Sequence, residues 1–315
     1  MPSWTNATGG PTGSVRGLAA PGARLPTTTT AGILRPDEFA RHAVLDRWPA
    51  DPRLAHWIEW YWSVRWDLPP GTRYVSEVVP HPALHVSIEG GQGRHPGRST
   101  PVALLNGVVT RRFSVALAGR GWVFAAKFRP GGLGAFTGID AGAYLDRVVD
   151  LGEVFAGGAD QLRDEVASAD DDQAAIFDRF LLDRRPAPDP VYEQLLGIVA
   201  DMLADRTLTR VEEVAERHDI PVRRLQRLFR RYVGVGPKWV LQRYRLHDAV
   251  SMIDVMVAES GIGVVDPPSL SELAAQLGWY DQAHFTREFT ALVGLPPARY
   301  AARARLSART AKLSY

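Results

Sequence analysis

A group of arginine and glutamine side chains in the C-terminal third of the chain has the chemistry to bind DNA. From Pro221 to Leu246 the sequence holds eight basic residues and no acidic one. Long N–H donors of this kind bind phosphates and also donate to guanine and adenine edges in a major groove. If this stretch is helical, its outward residues are Val222, Arg223, Arg224, Gln226, Arg227, Arg230 and Arg231.

The arginine-rich stretch belongs to a unit that the sequence repeats. The stretch 211–232 resembles the stretch 270–290, with one extra residue inserted after Trp279 in the second copy. The aligned pairs are Val214/Leu273, Ala215/Ala274, Ile220/Trp279, Leu225/Phe285, Arg227/Arg287, Phe229/Phe289, Gly234/Gly294 and Pro237/Pro297. Such a repeat predicts two copies of one supersecondary unit.

Each copy has the pattern of a helix-turn-helix. In the first copy, apolar residues recur at helical spacing on both sides of a short break at residues 218–220, namely Val211, Val214 and Ala215, then Leu225, Leu228 and Phe229. A basic helix face is most often only a solvated surface. Two copies with Gly and Pro at the same offset nevertheless favour DNA binding.

The two copies, with RLFRRYVGVGPKWVLQRYRLHDAV between them and FTREFTALVGLPPARY at the end, resemble the paired helix-turn-helix domain of AraC/XylS-type transcriptional regulators. The resemblance covers roughly Val191 to Ala301. It implies two recognition helices joined by one long helix, entering successive major grooves on one side of the duplex. By matched position it implies DNA contacts from Arg223, Arg224, Gln226, Arg227, Gln282, Ala283, Thr286 and Arg287.

The sequence departs from the family pattern in two places. Pro221 stands where the first recognition helix often has a Ser cap, so Asp219 or no side chain must cap it, whereas Asp281 can cap the second. The connection from Met252 to Pro268 is also longer than usual. We expect the joining helix to begin at Pro237, with Lys238, Arg243 and Arg245 facing out or reaching phosphates.

Length and composition indicate a soluble cytoplasmic protein of two domains. The chain has 315 residues, of which 45% are hydrophobic, and no apolar run approaches the roughly 20 residues of a spanning helix. Its start is not a secretory signal. Without cysteine there is no disulfide, thiolate metal site or cysteine nucleophile.

Composition shifts along the chain predict five segments. Low apolar content predicts disorder at the start, and a proline-rich stretch predicts a stiff linker after the first domain. The expected segments are a disordered extension (1–32), a β-rich sensing or dimerisation domain (33–183), a linker (184–190), the double helix-turn-helix domain (191–301) and a flexible basic tail (302–315).

The N-terminal domain is predicted to be α+β, an antiparallel barrel or sandwich followed by helices, and the C-terminal domain all-α. Strand-like runs occupy residues 57–66, 74–79, 84–88, 102–109, 113–117 and 122–128, and helices are expected at 160–167 and 173–182. In the first run every second residue is apolar, namely Ile58, Trp60, Trp62, Val64 and Trp66, which predicts that this side of the strand faces the core. This half is similar to the β-rich N-terminal domain of a subset of the same regulators, on its WYW and FRPGG stretches.

Few residues of the N-terminal half suggest chemistry. His81, His85 and His95 could meet at one metal in a cupin-like barrel, but a turn, a satisfied strand histidine and a solvated loop fit them better. Lys127 and Arg129 could hold an anion or form ion pairs. No nucleophile-elbow or paired-carboxylate pattern is present, so we expect no enzyme, metal or cofactor.

The sequence therefore predicts a bacterial-type transcriptional regulator with double-stranded DNA as its partner. A small-molecule effector, a second copy of the chain and RNA polymerase are further partners of this class, and no membrane partner is expected. Two other classes fit the same residues. One is a cupin-like metal- or ligand-dependent enzyme with a DNA-binding appendage, and the other is a constitutive DNA-binding protein whose N-terminal half only dimerises.

Overall fold

The computed structural model describes residues 32–91, 99–260 and 269–312. The predicted disordered extension lies outside these residues except for Gly32, and so does His95. The N-terminal half contains strands β1 (Val44–Trp48), β2 (Ile58–Asp67), β3 (Arg73–Val78), β4 (His85–Gly91), β5 (Val102–Asn106), β6 (Phe113–Ala118), β7 (Arg120–Phe128) and β8 (Val148–Asp150). Its helices are α1 (Pro36–Ala40), α2 (Gly132–Thr137), α3 (Ala159–Ser168) and α4 (Gln173–Leu182).

The strands form two antiparallel sheets. Six strands are ordered β1-β2-β7-β4-β5-β8, and β3 pairs with β6 in a separate two-stranded sheet. The predicted antiparallel α+β architecture is therefore confirmed. Strands β1 and β8 were not predicted from the sequence, because they are short edge strands and carry no apolar alternation.

The side of β2 that was predicted to face the core is not its only buried side. Tyr61 is fully buried on the side of the helices, where it packs against Phe124 and Phe177. Trp66 is buried on the opposite side with Tyr74 and other residues of the two-stranded sheet. A register shift between Ile58 and Trp60 also moves Ile58 to the helix side, as a β-bulge does. Both faces of the sheet are thus covered, which alternation within one strand cannot reveal.

The C-terminal half is helical, as predicted. Its helices are α5 (Pro190–Ala204), α6 (Val211–Arg217), α7 (Val222–Val233), α8 (Pro237–Ser260), α9 (Leu270–Gln276), α10 (Gln282–Val293) and α11 (Pro297–Lys312). None of the described helices is long and apolar enough to cross a membrane. Residues 302–312, expected to be a flexible tail, continue α11, because this Ala- and Arg-rich stretch has high helix propensity.

One hydrophobic cluster passes from the sheet into the first helix-turn-helix. It includes Phe128 of β7, Leu195 of α5 and Phe229 of α7. A second cluster contains the apolar residues of α9 and α10 together with Leu34 and Val79 of the N-terminal half. The N-terminal half therefore contributes side chains to the packing of both helix-turn-helix units.

Candidate nucleic-acid interface

The first helix-turn-helix consists of α6, a tight turn and α7. Val214, Ala215 and Phe229 form its interior. In the turn, Asp219 adopts a left-handed conformation with φ of 48°, which lets the Ile220 N–H donate to the Ala215 carbonyl at 2.9 Å. Short polar side chains tolerate this conformation better than others do. The turn thus places α7 across α6 with its basic face outward.

The four residues implied in the first recognition helix all project into solvent. Arg223, Arg224, Gln226 and Arg227 are exposed, and Leu225 between them is fully buried. No acidic residue lies in α7. Their free donors face outward from one continuous surface, as phosphate and base contacts require.

The second unit, α9 and α10, repeats this arrangement. Gln282, Ala283 and Arg287 are exposed, Thr286 is half-buried, and Phe285 and Phe289 fill the interior. The Asp281 carboxylate accepts from the His284 N–H at 2.6 Å, so the predicted cap is present. In α7 no side chain caps the N-terminus at Pro221. The first turns of α7 and α10 are therefore fixed to different degrees.

Tyr280 is the extra residue of the second unit, and sequence reasoning did not assign it a role. In the two turns Asp219 corresponds to Gly278, and Ile220 corresponds to Trp279. The N-cap of α7, Pro221, follows Ile220 directly, whereas one residue separates Trp279 from Asp281, the N-cap of α10. Tyr280 has no counterpart and is 96% exposed. This large aromatic side chain is therefore exposed directly before the N-cap of α10. The insertion in the repeat was the signal that could have singled it out.

The prediction for the basic residues of α8 is wrong for two of three. Lys238 is exposed, as predicted. Arg243 is 4% exposed and donates to the Thr110 carbonyl at 3.0 Å, and Arg245 is 9% exposed and donates to the Leu277 carbonyl at 2.8 Å. Both guanidinium groups are used inside the protein because α8 is enclosed by the N-terminal half and by the second helix-turn-helix.

The candidate chemical residues of the N-terminal half lie in structural roles. Lys127 forms a buried ion pair with Glu59 at 2.9 Å, and Arg129 donates to the Ala55 carbonyl at 2.7 Å. His85 accepts from the Trp62 indole at 3.1 Å, and burial lowers its pKa to about 3. His81 stacks on His247 of α8. Within the described ranges, no group of three His, Asp or Glu residues could hold a metal ion.

Family models match two parts of the chain. Residues 214–303 match the model described as "Helix-turn-helix domain", and residues 46–150 match "Domain of unknown function (DUF6597)". Residues 214–303 are an AraC-type helix-turn-helix domain. The chain is accordingly a DNA-binding transcription regulator, a class that is typically not enzymatic.

Solved structures similar to this protein include ToxT from Vibrio cholerae. One ToxT structure, at 10% identity, has a TM-score of 0.36 and covers 82% of this chain and 97% of its own. The structure of ToxT with an unsaturated fatty acid bound is 13% identical, with a TM-score of 0.36, covering 76% of this chain and 94% of its own. A search of curated proteins found no match.

Proposed function

We propose that α7 and α10 are two recognition helices that enter successive major grooves on one side of duplex DNA. The observation that carries this proposal is the repetition of one exposed surface. The matched positions of the two helices project away from their buried cores, and a single helix, α8, joins the two units. Helix-turn-helix proteins read base edges with such residues, one helical turn of DNA apart.

The exposed residues divide into two roles. Arg223, Gln226, Gln282 and Arg287 contact base edges, with roughly 1 to 3 kcal/mol of discrimination for each good bidentate pair. Arg224 and Arg227 contact phosphates and supply salt-dependent affinity. Ala283 and Thr286 present methyl groups that fit the methyl group of thymine.

The N-terminal domain, residues 33–183, acts as the sensing or dimerising part, and residues 184–190 link it to the DNA-binding domain, 191–301. A small-molecule effector or a second copy of the chain shifts DNA affinity by contacting this part differently in two states. Its packing against both helix-turn-helix units supports this role.

The test begins with selection of bound sequences from random duplex DNA by the full-length protein. Binding of the selected DNA is then titrated for Arg227→Ala and Arg287→Ala. We expect Arg227→Ala to weaken binding on every sequence and to reduce the salt slope by about 1. Arg287→Ala should weaken binding about 5- to 150-fold and relax selectivity at one base pair.

Arg73→Ala is the matched control, because Arg73 is an exposed arginine that belongs to β3 and to neither α7 nor α10. It should bind like the wild type. Unchanged affinity in both Arg227→Ala and Arg287→Ala would rule out the assigned residues.

A further inference from the structure

The β5–β6 loop, residues 107–112, reaches from the N-terminal half to the first helix-turn-helix. Thr110 of this loop and Gln226 and Arg230 of α7 line one cleft of about 410 Å³. Gln226 and Arg230 are both exposed and lie one turn apart on the same side of α7. Gln226 is one of the residues proposed to contact base edges. The loop therefore borders the surface of α7 that faces DNA in the proposed function.

The same loop also borders the second unit. Thr110 and Arg112 line a second cleft, of about 180 Å³, together with Glu288 and Ala291 of α10. Ala291 is exposed and lies one helical turn after Arg287, so these two residues share a side of α10. The loop thus lies between the two recognition helices, and a duplex that contacts both helices passes beside it.

The loop is held in place at Thr110. The carboxylate of Asp146 accepts from the Thr110 N–H at 2.7 Å and from its hydroxyl at 2.6 Å, and the Thr110 carbonyl accepts from Arg243 at 3.0 Å. Burial raises the pKa of Asp146, but these hydrogen bonds and the nearby charges of Arg111 and Arg243 more than offset burial and hold that pKa below its ordinary value. Arg111 therefore extends from a fixed position on the backbone.

The two arginines at the end of the loop differ in what they contact. Arg112 forms an ion pair with Glu77, and its guanidinium lies close to Gly294 at the end of α10. Arg111 is exposed, and it forms neither an ion pair nor a hydrogen bond with any residue that the structure describes. Its donors are therefore available for a contact outside the protein.

The charges that line the two clefts favour an anion near the loop. The charged residues of the first cleft are Arg230 and Lys238, both basic. The second cleft contains Glu288, whose carboxylate accepts from Gln242 at 2.9 Å and from the Trp279 indole at 2.7 Å. The backbone phosphates are the anions that a bound duplex brings to this position.

We propose that Arg111 of the N-terminal domain contacts a phosphate of the DNA backbone between the two half-sites, each half-site being read by one recognition helix. A guanidinium presents N–H donors in a fixed fork that matches phosphate oxygens, and such a contact adds affinity without reading bases. The N-terminal domain thereby contributes a third DNA contact beside α7 and α10. The proposal rests on the proposed function, in which both helices contact one duplex.

The first experiment titrates selected DNA with the full-length protein at several salt concentrations. Arg111→Ala should weaken binding about 2- to 5-fold, the effect of one exposed ion pair. The slope of log affinity against log salt should fall by about 0.9, as for one phosphate contact. The selected base sequence should be unchanged. Arg111→Lys keeps the charge and should retain most of the slope.

Arg73→Ala is the matched control for loss of an exposed arginine of the N-terminal half. Arg73 pairs with Ala118, at the end of β6 away from Arg111, and a strand of six residues spans about 20 Å. This variant should keep the wild-type affinity and salt slope. Because Arg111 and Arg73 are both exposed, all variants should unfold at the wild-type temperature.

A second experiment locates the phosphate. Neutral methylphosphonate groups replace the phosphates between the half-sites one at a time. At one position the replacement should weaken wild-type binding about 2- to 5-fold and leave the affinity of Arg111→Ala unchanged, because that variant has already lost the contact.

The outcomes distinguish the two proposals. Selection that returns no pair of half-sites would defeat the proposed function itself. With clear half-sites, an unchanged salt slope in Arg111→Ala, or no phosphate whose replacement depends on Arg111, would overturn the third contact. Tighter binding by folded Arg111→Ala would also overturn it, since the loop would then hinder the approach of DNA.

Discussion

His81 of the β3–β4 loop stacks on His247 of α8, with ring centroids 4.1 Å apart and planes inclined by 26°. The two residues come from different halves of the chain, and His247 is 3% exposed. Burial, with a smaller effect from Arg243 and Lys127, lowers the pKa of His247 to about 3. The pKa of His81 is lowered as well, by burial first and then by Lys127, His247, His85 and Arg47. Both rings are therefore neutral near pH 7.

We predict that His247 makes folding stability fall as the pH drops below about 6.5. An imidazole with a lowered folded pKa takes up its proton in the unfolded chain first, so acid favours unfolding. The loss is about 1 kcal/mol for this group between pH 6.5 and 5.5. Urea unfolding at several pH values should show a smaller loss in His247→Gln than in wild type, by about that amount. Identical pH dependence in the two proteins would mean that His247 is not buried neutral.

The Glu59–Lys127 pair gives a second prediction. Both side chains are almost fully buried, and burial raises the pKa of Glu59 while lowering that of Lys127. Lys127→Met leaves a buried carboxylate without its hydrogen-bonded partner, which costs about 3 to 5 kcal/mol. Adding Glu59→Leu should restore most of this loss. Urea unfolding at pH 7.5 measures the free energy of unfolding of the single and the double mutant. A double mutant no more stable than Lys127→Met would contradict the pairing.

Local patterns predicted much of this molecule. Helical periodicity and the repeat located both helix-turn-helix units, since the spacing of Leu225 and Phe229 or of Phe285 and Phe289 is a property of each helix alone. The helix predicted at residues 173–182 has those bounds in the structure. The exposed positions of both recognition helices could be read in the same way.

Long-range contacts could not be predicted in this way. Arg243 is buried against a carbonyl 133 residues earlier, and sequence alone treats it as one more cation of a basic stretch. The two covered faces of β2 depend on helices and on a second sheet that are distant in sequence. The contact of His247 with the Pro80 carbonyl and its stacking on His81 arise from the same kind of packing.

The unequal caps of the recognition helices give a third prediction. Asp281→Ala removes the acceptor for the His284 N–H and should destabilise the second unit by about 1 kcal/mol. Asp281→Asn keeps a capping oxygen and serves as the control for loss of charge. In the first unit, Pro221→Ser supplies a missing acceptor and should stabilise by a similar amount. Thermal unfolding of the full-length variants gives the order of their stabilities. Equal losses of stability in Asp281→Ala and Asp281→Asn would exclude capping as the cause.

Tyr280 gives the last prediction, which concerns DNA. Because its side chain is 96% exposed, Tyr280→Ala should leave folding stability within about 0.5 kcal/mol of wild type. Placed before the first turn of α10, the hydroxyl can donate to a phosphate, and a neutral hydrogen bond contributes about 0.5 to 1.5 kcal/mol. Affinity for selected DNA should therefore fall about 2- to 12-fold in both Tyr280→Ala and Tyr280→Phe.

The salt dependence identifies which part of Tyr280 acts. A neutral donor releases no counterion, so the slope of affinity against salt should be unchanged, whereas Arg227→Ala reduces it. If Tyr280→Phe binds like wild type while Tyr280→Ala is weaker, the ring packs on the DNA and the hydroxyl is not a donor. If both variants bind like wild type, Tyr280 lies outside the interface. In that case α10 contacts DNA through its exposed face, and the turn before it makes no contact.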